Sequence, residues 1–326
     1  MPRLLLPSKT ILVTGGNGFL GWHVLDTLQR RGCQNLVAPS RREYDLIDPR
    51  TIQILFEKTK PNVVFHLAAA VGGIGLNQRE PARLLYENSI MGLGLLEAAR
   101  RHDVEKVIVV GTTCSYPKSA PLPFREDDLW NGYPEPVTGP YGIAKRLVQL
   151  QGQLYRQQYG LNTVFLIPTN LYWPRDNFIE STSHVVPAII KKTFDAKDNG
   201  QHQITLWGDG TATREFLYVE DAAEMIVSAA ESCDSSEPIN LGTGIETPIR
   251  DIAALICQLA DYSGEIVWDA SKPNGQQRRV LDLGRAETFG LANSTRSLSA
   301  GLKLTVEWYR TQAPNTAKRA LVQTPS

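Results

Sequence analysis

A phenol and an ammonium stand four residues apart in Tyr141-Gly-Ile-Ala-Lys145. On a helix this spacing puts both side chains on one face. A phenol with an ordinary pKa of about 10 exchanges protons poorly near neutrality, and a neighbouring cation draws it toward the working range. The pattern therefore suits proton exchange with a substrate oxygen. A hydroxyl is offered to the same place by Thr112, which follows the apolar run Lys106-Val-Ile-Val-Val-Gly111.

A third element is the run Thr14-Gly15-Gly16-Asn17-Gly18-Phe19-Leu20-Gly21, directly after a predicted strand and opening a predicted helix. Glycines there permit a tight turn and close approach of backbone to a pyrophosphate, and the helix N-terminus supplies free N–H groups with partial positive charge. Gly15 to Gly21 are therefore expected to bind a dinucleotide. The next strand ends Val37-Ala-Pro-Ser40-Arg41-Arg42, with no acid at its tip to hold ribose hydroxyls and two guanidinium groups just beyond. Arginine suits a 2′-phosphate, so Arg41 and Arg42 favour NADP(H) over NAD(H).

Positioning these groups falls to an alternation of apolar strands and amphipathic helices. Strands are predicted at Thr10–Thr14, Asn35–Ala38, Asn62–Leu67, Lys106–Gly111 and Asn162–Ile167. Helices are predicted at Gly21–Arg31, Thr51–Lys60, Pro81–Arg101 and about Tyr141–Tyr159. Near-continuous apolar strands separated by helices predict an α/β fold, a doubly wound parallel sheet of Rossmann type covered on both faces, with ligands at the carboxyl ends of its strands. Between Tyr116 and Pro140 the chain is rich in proline and reads as a loop lying over the site. The pattern is less regular after Pro168, with helices near His184–Phe194, Asp221–Ser232 and Ile249–Ala260. Residues 1–171 are read as the nucleotide-binding domain, with a later contribution near 212–242. Residues 172–312 are read as a smaller, mainly substrate-binding α/β domain, and 313–326 as a loose polar tail.

Composition narrows the function classes. The chain has 326 residues, 34 Lys and Arg against 34 Asp and Glu, and a formal net charge of zero. This argues against an electrostatic grip on nucleic acid or on an anionic membrane. No apolar run is long enough to span a bilayer. Cys33, Cys114, Cys233 and Cys257 are scattered, with no C-x-x-C spacing. The expectation is a reduced cytoplasmic protein without disulfides or a structural metal.

The glycine loop, the strand end at Thr112 and the Tyr141/Lys145 pair together resemble the extended short-chain dehydrogenase/reductase family, over Ile11 to about Trp308. The resemblance implies that Thr112 hydrogen-bonds the substrate oxygen, that Tyr141 exchanges the proton, and that Lys145 tunes Tyr141 and binds the nicotinamide ribose. Further segments match the branch that acts on GDP-linked 4-keto-6-deoxy sugars: His66-Leu-Ala-Ala-Ala-Val-Gly-Gly-Ile74, Thr113-Cys114-Ser115-Tyr116-Pro117, Pro168-Thr-Asn170-Leu171-Tyr172, Ser183-His184-Val185, Trp207-Gly-Asp-Gly210, Arg214-Glu-Phe-Leu-Tyr218 and Ser271-Lys272-Pro273. Cys114 with His184 is the specific part.

By this resemblance the enzyme inverts C3 and C5 of GDP-4-keto-6-deoxy-D-mannose and then reduces C4 with NADPH, giving GDP-L-fucose. A C4 ketone acidifies the protons on C3 and C5 alike. A thiolate and an imidazole on opposite faces could remove and return them, while Thr112 and Tyr141 stabilise the enolate oxygen. Pro168, Asn170, Leu171 and His184 are implied in cofactor binding; Lys192, Trp207, Arg214, Lys272 and Asn274 are implied in holding the nucleotide sugar. A homodimer is implied as well. Two other readings fit the same residues: a C4-only reductase or epimerase of another GDP-linked keto-deoxy sugar such as a deoxy-heptose, and a catalytically idle NADP-binding sensor. The chain departs from the branch at Trp173, where glycine is usual, and at Asn274, where an acid is usual.

Overall fold

The computed structural model describes residues 4–172, 178, 183–272, 276–291 and 295–320, with side chains as far as 312. In chain order the first part reads β1 (Ile11–Thr14), α1 (Phe19–Arg30), β2 (Leu36–Val37), α2 (Pro49–Thr59), β3 (Val63–His66), α3 (Ile74–Arg79), α4 (Pro81–Arg101), β4 (Lys106–Val110), α5 (Gly139–Tyr159) and β5 (Thr163–Pro168). The remainder reads β6 (Asn170–Tyr172), α6 (Val185–Asp198), β7 (Gln203–Trp207), β8 (Thr213–Tyr218), α7 (Val219–Ser232), β9 (Ile239–Leu241), β10 (Glu246–Pro248), α8 (Ile249–Leu259), β11 (Glu265–Asp269), α9 (Gly284–Thr288) and α10 (Leu298–Ala320).

Six parallel strands form the central sheet in the order β2-β1-β3-β4-β5-β9. The continuous apolar runs of the sequence follow from burial on both faces. Ile11 and Val13, Val63 and Phe65, Ile108 and Val110, and Val164 and Leu166 enter one core with Val24 and Leu28 of α1 and Ile226 of α7. The alternate residues Leu12, Val64, Val107 and Val109, and Phe165 and Ile167 enter the other, with Leu55 of α2, Leu95 of α4 and Val148 of α5. A strand with period-2 side chains has no polar positions when both faces are covered.

The order reverses beside β1: the chain winds one way to β2 and the other way through β3, β4 and β5. Loops leaving the carboxyl ends of β1 and β3 therefore diverge and open a crevice. A second group of elements stands against that end. It contains the three-stranded sheet β10-β8-β6, the parallel pair β11-β7, and α6, α8 and α10 around a third core that includes Ile190, Phe216, Ile256 and Leu302. From within this group the chain returns to the first sheet through α7 and β9.

Several elements depart from the sequence expectation. Helix α1 starts at Phe19 because extended Gly18 is already its N-cap. Strand β2 is only two residues, pairing with β1 alone at the sheet edge. The short strands β6, β9 and β10 carry too few residues for a periodic signal. The segment read as a loose tail from Ala313 is helical to Ala320, in keeping with the strong helix formers Ala317, Lys318, Arg319 and Ala320; 321–326 lie outside the described residues.

Helices α4 and α5 pack closely because Gly92 lacks a side chain: a Cβ there would lie 2.3 Å from Val148 Cγ2. Gly92→Leu is expected to force the helices apart at a cost of about 2 kcal/mol. Thermal unfolding should then begin several degrees lower; an unchanged melting temperature would contradict close packing at this crossing.

Candidate active site

The loop after β1 is built by packing that excludes side chains. Gly15 sits at φ +73°, and a Cβ on it would lie 2.7 Å from the Ala68 backbone nitrogen. A Cβ on Gly21 would fall 2.0 Å from the Gly15 carbonyl oxygen. Gly18 caps α1 without a side-chain bond, so the first turn presents backbone N–H groups to the crevice. Gly15, Asn17, Gly18, Phe19, Leu20 and Gly21 line the cleft. Gly16 supports from behind, with no room for a Cβ against Ala38. This cradle fits a dinucleotide pyrophosphate.

At the end of β2, Ser40 and Arg41 line the cleft. The Ser40 backbone N–H and hydroxyl donate to Glu43 (2.8 and 2.7 Å). Arg41 is exposed and stands 3.7 Å from Asp45 and 4.0 Å from Glu87, contacts loose enough to be exchanged for a phosphate. Arg42 is exposed and does not line the cleft. On the facing side, Asn88 accepts from the Ala70 N–H (3.0 Å) and donates to its carbonyl (2.8 Å). This two-point clamp holds the loop after β3.

Strand β4 delivers Thr112 to the cleft as N-cap of a single 3₁₀ turn, Thr113–Ser115, its hydroxyl accepting from the Cys114 N–H at 3.2 Å. The turn lies against α5 where Gly142 leaves space; a Cβ there would be 2.2 Å from the Cys114 carbonyl oxygen. One residue before Gly142, Tyr141 faces the cleft, and Lys145 lies a turn further on, buried behind the cleft lining. Cys114 is half-buried, whereas Cys33, Cys233 and Cys257 are buried.

The electrostatics differ from the sequence expectation at the phenol. Burial pushes Tyr141 above the ordinary tyrosine range, and Cys114 pushes it the same way. Desolvation outweighs the help expected from Lys145, leaving the phenol as a proton donor. Burial draws Lys145 down to about 8. Beneath it, His66 is held neutral, drawn down to about 3 by burial and then by Lys145; its Nδ1 lies 2.9 Å from Thr14 Oγ1.

Across the cleft, His184 is the N-cap of α6 and faces the opening. Desolvation by the surrounding chain holds it below the ordinary histidine value, favouring neutral imidazole. Pro168, Asn170 and Leu171 line the cleft from β5 and β6. Lys192, Trp207 and Arg214 line it from the second group. Lys272 does not; its ammonium stands 5.9 Å from the exposed Trp207 ring. Asn274 and Trp173 lie outside the described residues.

Arg279 was not singled out by sequence. It reaches inward, with Nη1 3.4 Å from Thr113 Oγ1 and 3.9 Å from Cys114 Sγ, whereas Arg278 pairs outward with Glu246. Arg214 is drawn down to about 10, by burial first and then by Arg279. Two guanidinium groups crowded in one cleft are relieved by an anion. Glu215 was also missed. Its buried carboxylate accepts the backbone N–H groups of Thr243, Gly244 and Leu281, tying β8 to the segment that carries Arg279. The paired arginines just past Ser271-Lys-Pro273 are the only trace of this in the sequence.

Residues 11–242 match the model of the NAD dependent epimerase/dehydratase family. A GDP-L-fucose synthase of Sinorhizobium fredii is 39% identical over 307 residues, covering 94% of this chain and 97% of that protein. The chain belongs to the NAD dependent epimerase/dehydratase family. Among solved structures, a GDP-L-fucose synthetase from Naegleria fowleri bound to NADP is similar with a TM-score of 0.89 at 28% identity, covering 96% of this chain and 98% of that one. A GDP-6-OMe-4-keto-L-xylo-heptose reductase from C. jejuni is similar with a TM-score of 0.86 at 27% identity, covering 93% and 97%. In this family context Arg41→Ala should weaken binding of NADPH roughly tenfold and leave NADH little changed, because only the former carries the extra phosphate. Titration with both cofactors checks this, and equal losses would remove Arg41 from that role.

Proposed function

We propose that this chain is an NADPH-dependent enzyme that inverts C3 and C5 of GDP-4-keto-6-deoxy-D-mannose and reduces C4, forming GDP-L-fucose. The observation carrying this reading is that a thiol, Cys114, and an imidazole, His184, open onto the cleft that also holds Thr112 and Tyr141. The relatives named for GDP-L-fucose synthesis support the substrate.

The glycine loop, Arg41, Pro168, Asn170 and Leu171 would hold NADPH, which when bound would supply the hydride for C4. The chain's own residues do the rest. Thr112 and the neutral Tyr141 phenol donate hydrogen bonds to the C4 oxygen, stabilising the negative charge that develops when a proton leaves C3 or C5. At each inverted carbon one of Cys114 and His184 takes the proton from one face while the other, carrying a proton, returns one to the opposite face, and the two exchange roles between the inversions. Arg279 Nη1 stands 3.9 Å from the Cys114 sulfur. In the reductive step Tyr141 gives its proton to the C4 oxygen, and Lys145 stabilises the phenolate left behind. Arg214 and Lys192 hold the diphosphate, and Trp207 with Lys272 offers a flat face and a charge to the nucleoside end.

The protein works as a cytoplasmic homodimer in this reading. Tyr86 on α4 and Leu150, Leu154 and Tyr159 on α5 leave apolar surface on the outer face of that helix pair, a suitable dimer seam. Its cysteines are unpaired, and among the described residues no helix is long and apolar enough to cross a membrane.

The likeness to the heptose reductase favours a second reading, C4 reduction of another GDP-linked ketosugar. Turnover in heavy water separates the two. Deuterium at both C3 and C5 of the product is expected, and reduced product without that label would leave a plain 4-reductase. A pH profile tests the proton chemistry. Lys145 is charged below about 8 and neutral above, so reduction should fall as pH rises through and beyond that value. Lys145→Arg should carry the fall to higher pH, since guanidinium keeps its proton. A profile flat from about pH 7 to about pH 10 would contradict a role for the Lys145 charge.

A further inference from the structure

Arg146 follows Lys145 but points elsewhere. It is buried to 3% exposure, beside a 3₁₀ turn and a long loop that both border the cleft. Its Nε donates to the Ser115 carbonyl at 2.6 Å, and its Nη1 to the Gly132 carbonyl at 2.9 Å. Its Nη2 is buried without a hydrogen-bond partner among the described residues. The Trp130 ring lies 5.4 Å from the guanidinium carbon, and Trp130 Nε1 donates to Gln149 on the next turn of α5. Burying a guanidinium against carbonyls costs free energy that packing alone does not require. What the arrangement achieves is a brace: one planar fork joins the turn of Cys114 to the far end of the loop that begins just after it. Ser115 Oγ adds a second tether, donating to the Gly142 carbonyl at 3.1 Å.

We propose that Arg146 is a positioning residue for Cys114, fixing the thiol against the cleft by holding the Ser115 carbonyl, and that it thereby governs epimerisation rather than reduction. The selectivity follows from what each group hangs on. Tyr141 and Lys145 are carried by the body of α5, whose place is set by its packing on α4. Cys114 is carried by a turn of three residues, whose attachments to α5 include this fork. Loosening the fork frees the sulfur from Arg279 without moving the phenol. The inference rests on the proposed double inversion for its activity readout, and has a chemical readout independent of it.

Arg146→Lys keeps the charge but cannot span both carbonyls with a rigid fork. In heavy water without NADPH, its exchange of deuterium into C3 and C5 of the ketosugar should run at roughly one-tenth of the wild-type rate, with C4 reduction of the already inverted ketosugar by NADPH changed less than about twofold. Because the two rates are compared within the same active molecules, partial unfolding lowers both and leaves their ratio unmoved. Ser115→Ala should move the ratio the same way by a smaller factor. Independently, iodoacetamide modification of Cys114 near neutral pH, followed by peptide mass spectrometry, should slow severalfold in Arg146→Lys as the sulfur loses its guanidinium neighbour. Wild-type product without deuterium would overturn the epimerase reading alone. An alkylation rate at Cys114 that is unchanged or faster in the variant, or an unchanged ratio of exchange to reduction, overturns the role given to Arg146.

Discussion

The site depends on backbone meeting backbone where α5 crosses the turn Thr113–Ser115. Gly142 allows the Cys114 carbonyl to come within a distance that any Cβ would occupy. That single approach sets the spacing between a helix carrying a phenol and an ammonium and a turn carrying a hydroxyl and a thiol. The helix is fixed on α4 at Gly92, while the turn is capped by Thr112 and held to α5 through Ser115 and Arg146. The groups proposed to react are thus placed by packed elements, the condition under which proximity lowers a barrier.

Burial around this crossing decides the protonation states. Low solvation works against charge here, so Tyr141 and His66 are held neutral and the cations Lys145 and Arg214 are drawn down. The result is a cleft lined by the neutral Tyr141 phenol and by a wall bearing the close cations Arg214 and Arg279. Such a wall favours a bound diphosphate, which relieves the repulsion between Arg214 and Arg279. Glu215 balances the same region differently: its carboxylate is satisfied by three backbone N–H groups, and it spends that charge on holding two distant segments together.

Much of this was legible in the residue string. The glycine run between a strand and a helix signalled a tight turn, and the structure brings it to the cleft, with Gly16 behind the surface. The four-residue interval of Tyr141 and Lys145 placed them on one helix face but did not disclose their titration, because spacing reveals proximity to a charge but not the depth of burial. Arg42 illustrates the converse: adjacent to Arg41 in sequence, it lies away from the cleft. Arg279 and Arg146 gave no local signal, since each acts on a turn far away in the chain.

Local pattern alone therefore determined the strand–helix alternation, the parallel sheet buried on both faces, and the glycine loop between β1 and α1, because these arise from periodicity and from contacts within a few residues. Folding in three dimensions decided which cations turn inward, which acid staples two segments, and how strongly each titratable group is driven from its solution value. Those properties are sums over neighbours remote in sequence and over the solvent they displace, and no interval between residues encodes them.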